Sequence, residues 1–130
     1  MNEITHHVLI VEDNHHQTKI WQLQLQSLTA LSVTYVRTLD AANEVIDKKI
    51  KYDLIFLDGN LKPGHRTIPC TRDLFLKIKQ NPDYDGKVFC TTDFHKHQVL
   101  MENLGCPHVK KDDIVTKITT VYNGSESASS

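Results

Sequence analysis

Glu12 and Asp13 close the apolar run HVLIV, and Asp58 closes a second run, LIFL. An apolar run ending in acid reads as a strand buried on both faces that stops at a polar sheet edge. Carboxylates gathered at neighbouring strand ends repel one another unless a cation sits between them, and a hard divalent ion such as magnesium is the natural occupant. Such an ion keeps waters and also binds phosphate oxygens, so it draws a phosphoryl donor towards the nearest carboxylate. Attack by that carboxylate yields an acyl phosphate. The transferred group carries charge on its oxygens, which calls for a further cation and a hydrogen-bond donor. Thr92, ending the run VFCTT, and Lys110 or Lys111, within HVKKDD, supply those types. Taken singly, each has a plain structural explanation: a β-branched strand residue and a solvated charge run.

These residues need elements to bring them together. Val8–Val11 reads as the first strand, and Asn14 is placed to cap a helix over about 15–30. Ile20, Trp21, Leu23, Leu25, Leu28 and Leu31 give that helix an apolar face, and Trp21 is read as packing. Val33–Val36 reads as the second strand, followed by a helix capped by Asp40 and running to about Lys49, with Ala41, Val45 and Ile46 inward. Asp53–Asp58 is the third strand, ended by the loop containing Gly59, Pro63 and Gly64. A helix over 71–80 with Leu74, Phe75 and Ile78 inward, a turn at NPDYDG and a fourth strand at Val88–Thr92 follow. The spacing then predicts a helix from His95 to Leu104 stopped by Gly105, a short fifth strand at His108–Lys111, and a last helix at Asp113–Tyr122. Strands alternating with helices imply a parallel sheet covered on both faces, whose ligands bind at the carboxyl ends of the strands.

Composition supports one compact core: the chain has 130 residues, 39% hydrophobic and 24% charged, enough apolar material to fold as a single domain. Fifteen basic against 16 acidic residues leave a net charge of -1, which argues against direct nucleic-acid or membrane binding. No apolar stretch approaches the roughly 20 residues needed to span a bilayer, and MNEITHH lacks a signal-peptide pattern, so the expected location is cytoplasmic. Cys70, Cys90 and Cys106 show neither a CxxC pair nor a disulfide framework and are read as idle thiols. The histidine pairs His6-His7 and His15-His16 and the His95-x-His97 spacing are not read as a metal site, because neighbouring strand residues point to opposite faces. A hydrolase reading finds no nucleophile–base pattern.

The order of these features resembles the receiver domain of two-component response regulators. The resemblance covers about 3–122 and is strongest in VLIVEDN and LIFLDGNL. It implies an α/β, flavodoxin-like fold: a doubly wound five-stranded parallel sheet of order 2-1-3-4-5 with five helices. It further implies a receiver domain over 1–122, and the polar composition of NGSESASS reads as a disordered tail at 123–130. By this resemblance Asp58 is the phosphoacceptor, Glu12 and Asp13 hold Mg2+ with it, and Asn60 lends its backbone carbonyl to the ion. Thr92 takes the place of the switch hydroxyl, with Thr91 as rival; Val88, Cys90 and Thr92 share a strand face, which favours Thr92. Lys111, or alternatively Lys110, takes the place of the site lysine. With Lys111 in that role, His108 stands where the family has an aromatic switch residue.

The implied activity is that of a stand-alone receiver, catalysing its own phosphorylation and dephosphorylation without a separate substrate. Its donor is a sensor histidine kinase or histidine phosphotransfer protein, and its output is altered affinity for a downstream target protein. The chain departs from the family pattern at several places. Pro63 comes one position late in a loop, 59–70, that also carries Lys62, His65 and Arg66. Asp93 replaces the small residue after the threonine, and Asp112 the proline after the lysine. These departures support the alternative of a phosphate-independent interaction module that keeps the fold.

Overall fold

The computed structural model describes residues 6–48, 51–58, 71–82 and 87–123. Four strands, β1 (His6–Val11), β2 (Leu31–Val36), β3 (Leu54–Leu57) and β4 (Lys87–Cys90), pair in parallel in the order β2-β1-β3-β4. Parallel neighbours require crossovers, and α1 (His15–Leu25), α2 (Leu39–Asp47), α3 (Arg72–Lys79), α4 (His95–Asn103) and α5 (Ile114–Tyr122) lie between and after the strands.

Alternation along each strand splits the core in two. Leu9, Val11, Ile55, Leu57, Val88 and Cys90 face a layer containing Ala42, Leu74, Phe75, Ile78 and Met101, from α2, α3 and α4. Val8, Ile10, Leu54, Phe56 and Phe89 face Trp21 and Leu25 of α1 and Ile114 and Ile118 of α5. The sheet is thus covered on both faces, which is why its central strands are continuously apolar. Each fully buried side chain such as Trp21 or Phe56 contributes roughly 2 kcal/mol of apolar burial.

The expected fifth strand is corrected to a single parallel bridge, Cys90 with His108. Cys90 N–H donates to Pro107 O at 2.8 Å and Val109 N–H to Cys90 O at 2.9 Å. Beyond Lys110 the chain turns into a 3-10 element, Lys111–Asp113, closed by Asp113 N–H donating to Lys110 O at 2.8 Å. That turn takes Lys111 out of any ladder with β4.

The first helix also differs from expectation. It stops at Leu25 rather than near residue 30, and a pair of turns, Leu28 N–H to Leu25 O and Leu31 N–H to Leu28 O, leads into β2. Its inward stripe is Thr18, Trp21 and Leu25, so Ile20 and Leu23, 38% and 59% exposed, lie off it rather than on the apolar face. In α2 the cap is Thr38, whose Oγ1 accepts from Ala41 N–H at 3.1 Å. Asp40 instead occupies the first turn, where its charge suits the helix dipole.

Gly105 ends α4 as expected, with φ +96°. Gly105 N–H donates to Glu102 O and Cys106 N–H to Met101 O, a Schellman closure that buries Cys106 beside Met101. A Cβ at this position would meet no atom within 4 Å. Gly105→Ala is therefore expected to cost only the backbone term, about 1 kcal/mol, as a lowered urea midpoint with unchanged slope. A much larger loss would mean that packing at this corner is tighter than described.

Candidate functional site

One step beyond the paired residues Val11, Leu57 and Cys90 the ladder continues as single bonds. Glu12 N–H donates to Val36 O at 2.9 Å, Asp58 N–H to Val11 O at 3.0 Å and Thr91 N–H to Leu57 O at 2.9 Å. Glu12, Asp58 and Thr91 therefore stand abreast at the carboxyl edge of the sheet. By strand alternation they belong to the face of Val8, Ile10, Leu54, Phe56 and Phe89, the face covered by α1 and α5.

Glu12 and Asp58 are buried and Asp13 is half-buried, and one oxygen from each of the three carboxylates lies within 4.8 Å of the others. Lys111 enters from the turn before α5. Its Nζ lies 3.0 Å from Glu12 Oε1 and 3.4 Å from Asp58 Oδ2. Lys110 is exposed and belongs to a shallow groove with His108, Thr116 and Lys117. A third carboxylate, Asp93 Oδ2, lies 3.9 Å from the Lys111 ammonium.

The electrostatics follow from this crowding. Burial and the neighbouring Asp58 charge push the Glu12 carboxyl up to about 7, against the pull of Lys111 and of Asn14 N–H, which donates to Glu12 Oε2 at 3.2 Å. Burial works against the Lys111 ammonium, yet Asp58, Glu12 and Asp93 outweigh it and hold its pKa above the usual lysine value. Three oxygen-only side chains at this separation are consistent with the donor set of a hard divalent cation.

Thr92 is fully buried but differently engaged. Its Oγ1 accepts from Phe94 N–H at 3.2 Å, and its carbonyl accepts from His108 Nε2 at 2.9 Å. Val88 and Cys90, grouped with Thr92 by parity, face the α3 and α4 side of the sheet, while Thr92 itself lies beyond the end of β4. Asn60 and the 59–70 loop, with Lys62, Pro63, His65, Arg66 and Cys70, lie outside the described residues, as does the tail beyond Asn123. Cys90 and Cys106 are fully buried, and burial pushes their thiols up to about 11 and about 12, which leaves them without thiolate reactivity near neutral pH.

One positioning residue escaped the sequence reading. Thr71, at the entry to α3, is fully buried, and its Oγ1 donates to Asp58 O at 3.2 Å. It caps no helical N–H because its hydroxyl is spent on the strand end. The sequence reading placed residue 71 inside the helix over 71–80, and nothing local marks a partner 13 positions earlier.

No protein-family model matches the sequence, and no curated protein emerges as a sequence relative. Solved structures do match. The response regulator Rcp1 in its Mn(2+)-bound form shares 22% identity over 95% of this chain and 93% of its own, with a TM-score of 0.65. A response regulator receiver protein from Burkholderia phymatum shares 14% over 92% and 96%, at 0.63. The chain has the fold of a response-regulator receiver domain. A receiver domain from Methylobacillus flagellatus matches a smaller share, 68% of this chain and 70% of its own, at 22% identity and a TM-score of 0.52. In a receiver fold the carboxyl edge of the strands is where a ligand is expected, and that edge is where Glu12, Asp13, Asp58 and Lys111 meet.

Proposed function

We propose that the chain accepts a phosphoryl group on Asp58 from a phosphohistidine donor, a sensor histidine kinase or histidine phosphotransfer protein, and thereby changes its affinity for a target protein. The observation that carries this reading is the Lys111 ammonium held between Glu12 and Asp58 beside Asp13. Glu12, Asp13 and Asp58 would hold Mg2+, with the backbone carbonyl of Asn60 as the further ligand expected from the sequence. When bound, the ion supplies positive charge to the transferring phosphoryl oxygens. An Asp58 oxygen attacks phosphorus in line with the breaking P–N bond, whose electrons leave with the imidazole nitrogen. Lys111 stabilises the charge on the transferred group from its other side.

Two threonines are candidates for the switch hydroxyl. Register supports Thr91, which stands abreast of Asp58, while the family pattern supports Thr92, whose carbonyl is tied to His108. His108 in turn is the proposed switch residue, carrying a change at the threonines towards the α4–α5 surface. We place this chemistry in the cytoplasm, with neither nucleic acid nor membrane as direct partner; among the described residues no helix is long and apolar enough to cross a membrane.

Incubation with phosphoramidate and magnesium tests the reading: a hydroxylamine-labile phosphoryl group on Asp58 is expected, and its absence would end the proposal. The two threonines separate in the same assay. Thr91→Ala is expected to slow labelling about tenfold, the scale of one hydrogen bond to a charged group, with Thr92→Ala closer to the parent. The reverse order would return the role to Thr92.

A second reading is favoured by Asp93, which gives Lys111 a third carboxylate partner before any phosphate arrives. In that reading the fold is a phosphate-independent interaction module. Magnesium titration distinguishes the two, since only the phosphoacceptor reading requires binding that is lost in Asp13→Asn.

A further inference from the structure

Asp93 is the carboxylate at this edge that the acceptor chemistry leaves without a task. It is exposed where Glu12 and Asp58 are buried, yet its Oδ2 comes within 3.9 Å of Lys111 Nζ. The same ammonium lies 3.0 Å from Glu12 and 3.4 Å from Asp58. One ammonium thus faces three carboxyl groups, two buried and one exposed. The charge that Lys111 offers to a donor at Asp58 is therefore already shared with the exposed Asp93.

Resting on Asp58 as phosphate acceptor, we propose that Asp93 sets the preference of the site among phosphodonors according to their charge, penalising dianionic donors relative to monoanionic ones. The Coulomb energy between Asp93 and a donor scales with the donor's charge. A fixed negative charge at the mouth therefore discriminates without touching the donor's shape. Because the Asp93 side chain is solvated, the effect is moderate and is screened by salt. A protein donor, whose phosphohistidine is embedded in its own charge field, can offset the penalty by complementary contacts that a small dianion lacks.

Two small donors make the comparison. Near pH 7 acetyl phosphate is a dianion: an Asp58 oxygen bonds to phosphorus, the P–O bond to the acetyl oxygen breaks, and acetate leaves with the electron pair. Phosphoramidate is a monoanion with its nitrogen already protonated: the P–N bond breaks and ammonia leaves with the electron pair. Both give the same acyl phosphate on Asp58.

Initial labelling rates would be measured with each donor, in magnesium, at low and high salt, for the parent chain, Asp93→Asn and Asp93→Glu. Asp93→Asn is expected to accelerate both donors and to raise the acetyl phosphate to phosphoramidate rate ratio by about fourfold at low salt, the factor for one unit of charge about 5 Å away in water. The gain should shrink at high salt, and Asp93→Glu should keep the parent ratio. A purely structural role at the start of α4 would move both donors equally, so an unchanged ratio in Asp93→Asn, or an equal shift in Asp93→Glu, overturns the proposal. Failure of the parent chain to take label from either donor would instead remove the acceptor reading, and this inference with it.

Discussion

Asp58→Asn is expected to abolish phosphorylation outright while leaving the protein folded. The amide keeps the shape of the carboxylate and its place at the end of β3, where its backbone N–H donates to Val11 O and its carbonyl accepts from Thr71. What it lacks is the anionic oxygen that must bond to phosphorus, and no rearrangement of Glu12 or Asp13 supplies that oxygen in the same place. A loss of about a thousandfold or more in labelling rate is the scale seen when a nucleophile is removed from a preorganised site. The same substitution removes one of three crowded negative charges, so the magnesium-free variant should be at least as stable as its parent. Intact-mass analysis after donor treatment gives the decisive readout: one added phosphoryl group on the parent and none on the variant. A variant that still gains a hydroxylamine-labile phosphate would move the acceptor to another carboxylate.

The second large effect is a dependence of stability on pH that magnesium reverses. The Glu12 carboxyl titrates near 4.5 when unfolded and is pushed up to about 7 when folded, first by burial and then by Asp58. Between those values the folded chain holds a proton that the unfolded chain has lost. Stability from this group is therefore fully present below the unfolded value and is lost as pH rises through the folded one. The shift corresponds to roughly 3 kcal/mol between acid and mildly alkaline conditions. Urea unfolding without divalent cations should accordingly show a falling midpoint from about pH 5 to pH 8, and Glu12→Gln should flatten that fall. Added magnesium should raise stability most at the alkaline end, where the carboxylates are charged, and its binding near pH 6 should release protons. A parent and a Glu12→Gln variant with the same pH slope would show that Glu12 is not the group responsible.

The parts of this arrangement that were legible in the sequence are those carried by local pattern. The runs HVLIV and LIFL identify β1 and β3 because a strand buried on both faces has no polar alternation to obscure it, and their terminal acids mark the polar edge. Gly105 was legible as the stop of α4 for an equally local reason, since few residues tolerate its backbone conformation. The parts that were not legible depend on contacts distant in sequence. Leu28 and Leu31 extend the helical spacing of α1, but they pack against the same core from a turn and from β2. Thr91, not Thr92, is the residue abreast of Asp58. Parity within β4 alone does not reveal that until the ladder with β3 fixes the register. Thr71 escaped because its partner is the carbonyl of a residue 13 positions earlier.

The single bridge between Cys90 and His108 bears on how easily the site can be dismantled. A full strand would secure Lys111 through a ladder whose rupture approaches the cost of unfolding the sheet. Here the backbone tie to β4 is one pair of bonds, Cys90 to Pro107 and Val109 to Cys90, just ahead of the turn that delivers the ammonium. Segments held this way belong to the low end of a protein's local-opening free energies. The residue that neutralises Glu12 and Asp58 thus rides on one of the more readily detached pieces of the sheet, and amide exchange at Val109 should outpace that at Ile10 and Phe56 in the middle of it.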